Sequence, residues 1–105
     1  YMLIENKQYA DAEQIFRQIV EINHQNDEAL YALGVCYLMQ DSIIEADKMF
    51  SLAIKVNPTY AEAHYKKGVC REAMGKKDEA KMHYTNALNI KPTYKPAQDA
   101  LNKLK

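Results

Sequence analysis

Three histidines, His24, His64 and His83, and two cysteines, Cys36 and Cys70, are the side chains of this sequence best suited to acid–base, nucleophilic or metal chemistry near neutral pH. Each such chemistry needs partners at a fixed spacing. A helical zinc site sets two histidines four residues apart, and a redox or metal-binding cysteine pair takes the form C-x-x-C. Neither spacing occurs here, and the chain has no Gly-rich phosphate loop and no G-x-S-x-G elbow. No catalytic residue, metal ligand or cofactor is therefore expected, and the chain is not read as an enzyme. The two cysteines read as small buried packing residues, and unpaired thiols point to a reduced intracellular compartment, the cytoplasm.

Charge narrows the partners further. Fourteen Lys and Arg balance fourteen Asp and Glu, so the formal net charge is zero with histidine neutral. A surface built for nucleic acid or an anionic membrane carries a basic excess or a basic block. The densest basic stretch, Lys76-Lys77 with Lys81, is broken by Asp78 and Glu79 and reads as a solvated helix face. No nucleic-acid partner is expected. No run of 18 apolar residues occurs, and Tyr1-Met2-Leu3-Ile4-Glu5 is not a basic segment leading into a long apolar one, so neither membrane insertion nor a secretory signal is expected. The first residue is not Met, which suggests a piece cut from a longer protein.

The elements that position these side chains follow from an internal repeat. Shifted by 34 residues, Glu28-Ala29 falls on Glu62-Ala63, Tyr31 on Tyr65, Gly34-Val35-Cys36 on Gly68-Val69-Cys70, Glu45-Ala46 on Glu79-Ala80, Ala53 on Ala87, and Pro58-Thr59-Tyr60 on Pro92-Thr93-Tyr94. That makes twelve identities in 34 positions, mostly at small or aromatic residues, so the period and not common surface chemistry is conserved between copies. Backwards, Ala12 aligns with Ala46, Phe16 with Phe50 and Leu3 with Tyr37. One domain is expected over 1–105: a partial copy at 1–26, complete copies at 27–60 and 61–94, and the start of a further copy or a capping helix at 95–105.

Each copy reads as two helices. Leu30, Leu33, Gly34 and Tyr37 recur at spacings of three and four, as do Ala46, Phe50, Ala53 and Ile54. Ser42 with Glu45, and Thr59 with Glu62, have capping-box spacing, and Asn57-Pro58 stops the helix before it. Helices are expected near 9–23, 27–40, 43–56, 61–74, 77–90 and 95–104, after a helical stub at 1–5. Glycine inside a helix costs roughly 1 kcal/mol relative to alanine. Gly34 and Gly68, one period apart, therefore call for close helix approach, with Ala46 or Ala80 opposite and Phe50 or Tyr84 beside them.

Leu30-x-x-Leu33-Gly34-x-x-Tyr37, then Ala46-x-x-x-Phe50, then Pro58, resembles the tetratricopeptide repeat in residue type and spacing, with Leu30 in place of the family's usual tryptophan. The next copy keeps Gly68, Ala80, Tyr84, Ala87 and Pro92 but has His64, Lys67 and Arg71 where leucine, leucine and tyrosine stood. Their stems are expected to cover the previous repeat while their tips reach water. The resemblance implies an all-α fold, a right-handed superhelix (α-solenoid) of antiparallel helix pairs in which first helices line a concave groove. It also implies a role as scaffold, co-chaperone or cargo adaptor, with a partner peptide or helix in that groove.

On that geometry the groove face of the first complete copy comprises Glu28, Tyr31, Ala32, Val35, Leu38 and Met39. The second presents Glu62, Tyr65, Lys66, Val69, Glu72 and Ala73, and the terminal helix adds Asp99 and Lys103. Tyr31, Val35, Leu38 and Met39 are apolar beyond what the repeat framework requires, which suggests a second buried surface. The alternative is a structural segment of a longer solenoid that self-assembles or fills the groove with its own flanking helix. Some groves of this family hold a peptide's terminal carboxylate with Lys, Arg and Asn. Lys66 matches that pattern, but Ala32, Glu62, Tyr31 and Val35 depart from it, and Glu62 would repel a carboxylate.

Overall fold

The computed structural model describes residues 2–104, with side chains from residue 8 onward. These residues form six helices: α1 (Met2–Ile22), α2 (Asp27–Met39), α3 (Ile43–Val56), α4 (Ala61–Ala73), α5 (Lys77–Ile90) and α6 (Lys95–Lys103). No strand occurs among them. Each helix packs on the next, α2 against α3 and α4 against α5 most extensively, and α2 also touches α4. The result is a right-handed superhelix of antiparallel helix pairs, 37 × 33 × 22 Å, with α2 and α4 side by side on its concave face.

Helix ends fall within a residue of those read from the repeat, except at the start, where the expected stub at 1–5 and helix at 9–23 are one continuous α1; Tyr1 lies outside the described residues. The turn inside each complete copy explains the difference. One residue there takes a left-handed conformation, Asp41 at φ 66° and Gly75 at φ 80°. Aspartate and glycine tolerate it, whereas the aligned residue in the partial copy is Lys7, for which it is costly. With no Gly or Pro in residues 1–22, nothing stops the helix.

The capping boxes do not form. Ser42 stands at the N-cap of α3 without a side-chain bond to it. Tyr60, not Thr59, is the N-cap of α4, its carbonyl accepting from the His64 amide at 3.2 Å, and the Thr59 hydroxyl donates to Asn57 Oδ1 at 3.0 Å. Asn57 in turn donates to Asp27 Oδ2 at 2.8 Å, tying the turn after α3 to the start of α2. The one side-chain cap among the described helices is Asn26, whose Oδ1 accepts from the Ala29 amide at 3.1 Å.

The core is a row of small residues with large rings set between them. Ala46, Ala53, Ala63, Ala80, Ala87 and Ala97 are fully buried, as are Phe50 and Cys70. A Cβ added at Gly34 would stand 2.6 Å from Phe50 Cε1, and one added at Gly68 would stand 2.6 Å from Tyr84 Cε1. What the glycines admit is therefore an aromatic ring from the second helix of the same pair. Cys36 and Cys70 are free and buried, and burial, followed by Asp47, pushes the Cys70 thiol up to about 12. The first helix of the chain has an uncovered flank: Ile15 and Ile22 are exposed, whereas Met49 and Val56, at the aligned positions of α3, are half-buried.

Of His64, Lys67 and Arg71, the first and the last do not simply reach into water. Arg71 Nη2 donates to Asp47 Oδ2 of α3 at 3.0 Å, and Nη1 lies 3.4 Å from Glu79 Oε1 of α5. His64 Nε2 is 3.0 Å from the Pro58 carbonyl oxygen and so carries the proton. Burying a guanidinium is tolerable only with a carboxylate beside it, and Asp47 supplies one across the repeat boundary.

His83 is buried against this cluster where the first copy has Met49. Burial, then the charges of Lys67, Arg71 and His64, lower its pKa from 6.5 to about 4, against a smaller opposing effect of Asp47. The folded state thus binds fewer protons at this site than the unfolded chain. Its stabilising effect is complete above pH 6.5 and is lost as pH falls from there through about 4. Urea unfolding at pH 7.5 and 5.0 is expected to show the fall, and His83→Met to flatten it. An equal loss in the substituted protein would assign the pH dependence elsewhere.

Candidate functional site

Four tyrosines, paired by the repeat, form two aromatic contacts one period apart on α2 and α4. Tyr31 on α2 stacks on Tyr60 with ring centroids 5.1 Å apart and leans on Phe50 at 5.7 Å. One period later Tyr65 meets Tyr84 at 5.6 Å and, edge-on, Tyr94 at 5.6 Å. Tyr60 and Tyr94 end the Pro-Thr-Tyr turns, so each turn brings its ring back onto the first helix of its own copy.

Carboxylates face this row. Burial foremost, with Glu62 contributing, pushes the phenols of Tyr31, Tyr60 and Tyr94 up to about 12, and Asp27 and Glu28 add to the effect at Tyr60. Tyr65 is raised by burial, then by Glu72 and Asp99. Tyr84 Oη donates to Glu72 Oε1 at 2.8 Å, which fixes that carboxylate above a buried ring. All four ladder phenols are therefore neutral donors throughout the physiological range.

The row opens into a cleft of about 650 Å³ between α4, α5 and α6. Six of the residues read from the sequence as groove-facing line it: Tyr65, Val69, Glu72 and Ala73 on α4, and Asp99 and Lys103 on α6. Tyr84, Pro96 and Ala100 complete the wall and were not among the residues expected there. The Pro96 position at the N-terminus of α6 and the buried Ala97 seat that helix so that Asp99, Ala100 and Lys103 face α4.

The remaining residues expected at the groove do not line this cleft. Tyr31, Glu28 and Glu62 belong to the tyrosine row, and Lys66 Nζ lies 5.7 Å from the Tyr65 ring centroid. Val35 and Leu38 are half-buried and pack on Ala46, Phe50 and Cys70, so much of their apolar surface serves the framework. Met39 is exposed at the end of α2, and Ala32 is half-buried. No group of three or more His, Cys, Asp or Glu among the described residues is placed to hold a metal ion. No described helix is long and apolar enough to cross a membrane.

Stacked helix pairs of constant period, sealed by rings seated on glycine and open on one concave side, define an α-solenoid of helical repeats. The chain belongs to the tetratricopeptide-repeat family, whose pattern matches residues 3–67 and again 61–94. Among solved structures it is similar to MamA, with 29% identity and a TM-score of 0.85 over 98% of this chain and 64% of that one. It is also similar to the second TPR domain of human RPAP3, solved in complex with the HSP70 peptide SGPTIEEVD, with 25% identity and a TM-score of 0.88 over 96% and 84% of the two chains. YrrB, described as a TPR protein with an unusual peptide-binding site, has 25% identity and a TM-score of 0.87 over 95% and 52%. The chain thus spans less than two thirds of MamA and about half of YrrB. No curated protein matches it significantly.

Proposed function

We propose that this chain is a protein-interaction module, a scaffold or adaptor that takes a partner peptide or helix along its concave face and performs no catalysis. The observation that carries this reading is the cleft between α4, α5 and α6, where apolar surface from Val69, Ala73, Pro96 and Ala100 lies beside Glu72, Asp99 and Lys103. An apolar floor with a few placed polar groups is what a bound peptide requires. Family membership supports it, as does the peptide held by the similar RPAP3 domain.

Ala73 is exposed at the last turn of α4 and lines the cleft, so a large side chain there fills the site without entering the core. Peptides selected from a displayed library on the wild-type protein are expected to bind Ala73→Tyr at least about tenfold more weakly, with an unchanged melting curve. Equal binding by the filled variant would remove the cleft from consideration. Val35 and Leu38 are poorer probes, since charges there would disturb the packing on Phe50 as well as any docked partner.

A further inference from the structure

We infer that the occupant of this cleft is a cationic segment, a peptide or helix presenting Lys or Arg beside an apolar side chain. The inference rests on the cleft's being the binding site and adds the sign of its partner. Two carboxylates, Glu72 and Asp99, line the cleft against one ammonium, Lys103. Carboxylates, those of Asp27, Glu28, Glu62, Glu72 and Asp99, also raise the phenols of Tyr31, Tyr60 and Tyr65.

The rings themselves already attract ammonium groups. Lys66 Nζ lies 5.7 Å from the Tyr65 centroid and Lys91 Nζ lies 5.3 Å from that of Tyr94. An aromatic face flanked by carboxylates holds a cation twice over, by the ring quadrupole and by charge. Glu72 is held ready by the Tyr84 hydroxyl, so little ordering remains to be done when a guanidinium arrives. The existing partner of Asp99 is weak competition: Lys95 Nζ stands 3.7 Å away, and both side chains are more than half exposed. Beyond the cation, Val69, Ala73 and Ala100 offer an apolar bed for the neighbouring side chain.

The test is fluorescence anisotropy with three labelled peptides that share one apolar skeleton and carry Lys/Arg, Gln, or Glu with a free C-terminal carboxylate at the variable positions. The proteins are the wild type, Glu72→Gln with Asp99→Asn, and Ala73→Tyr. The Lys/Arg peptide is expected to bind best, to tighten as salt is lowered, and to lose about tenfold in affinity in the double variant. Glu72→Gln keeps an acceptor for Tyr84, so matching melting curves will separate lost charge from lost fold. Preference for the Gln or Glu peptide, blocked by Ala73→Tyr but indifferent to the double variant, would overturn the cationic partner and leave the cleft standing as a site. Binding of all three peptides unaffected by Ala73→Tyr would overturn the cleft as well. Sedimentation that shifts with concentration and is abolished by Ala73→Tyr would make the occupant a second copy of this chain, against the inference.

Discussion

Gly34→Val is expected to cost about 3 kcal/mol and to lower the melting temperature by roughly 12–24 °C, although valine is a residue that helices accept. Propensity alone points the other way. An alanine or valine in place of a mid-helix glycine gains up to about 1 kcal/mol from the backbone. Sterics reverse the sign, because the new Cβ would stand 2.6, 2.8 and 2.9 Å from three carbons of the Phe50 ring. That ring is fully buried, clustered with Ala46 and Cys70 and leaning on Tyr31, so it has no free volume into which to swing. Moving it displaces α2 from α3, and the close-packed interior passes the strain to Tyr60 through the stacked tyrosines. The measurement is thermal unfolding by circular dichroism, with Phe50→Leu as the second arm of a cycle. If the ring is what the glycine admits, Phe50→Leu will cost less in the valine background than in the wild type. Additive effects, or a valine variant melting within 2 °C of wild type, taken as roughly the width of a 0.5 kcal/mol effect, would show that the glycine serves something other than the ring.

The architecture was legible because its determinants are small residues repeated at one spacing. Gly34 and Gly68, Ala46 and Ala80, and Ala53 and Ala87 can be exchanged for little else, so the same packing solution leaves the same letters in each copy. Features set by a single residue's local alternatives were harder to see. The continuity of α1 turns on Lys7 standing where Asp41 and Gly75 adopt left-handed backbone, and no periodic signal marks that slot. Thr59 has the spacing of a cap, yet α4 starts one residue later, with Tyr60 at its N-cap, and an offset of one residue at a helix start is not encoded in spacing.

At the candidate site, the first-helix residues Tyr65, Val69, Glu72 and Ala73 follow from helical phase once the family's geometry says which face is the groove, and the structure brings them together with Asp99 and Lys103. Tyr60 and Tyr94 were visible as a repeated Pro-Thr-Tyr but not as walls of the face, since a turn carries no phase by which to assign a direction. Tyr84 was read as core, which it is; only its hydroxyl, donated to Glu72, reaches the cleft.

The seam between the two complete copies yields the second large effect. Arg71→Met is expected to cost about 3 kcal/mol, the low end for breaking a pair of this kind, because the side chains of Arg71 and Asp47 retain 20% and 12% exposure. The loss comes less from a forfeited attraction than from what remains: Asp47, buried on α3, would keep a charge with no cation beside it. Asp47→Leu alone leaves Arg71 its second carboxylate, Glu79, at 3.4 Å and is expected to cost less. Removing both charges together leaves an apolar pair at this seam, where the preceding boundary has Tyr37 and Glu13 at the aligned positions. The double variant is accordingly expected within about 1 kcal/mol of the wild type, since an apolar pair of similar volume replaces a desolvated ion pair at little net cost. Urea midpoints for the four proteins complete the cycle. The coupling would be near zero if Arg71 merely covered α3 with its methylenes, and in that case Arg71→Met, which keeps an aliphatic stem, would itself be nearly silent. A large single loss rescued by the second substitution therefore identifies charge compensation, rather than coverage, as what lets polar residues stand at first-helix positions that the neighbouring copy fills with leucine and tyrosine.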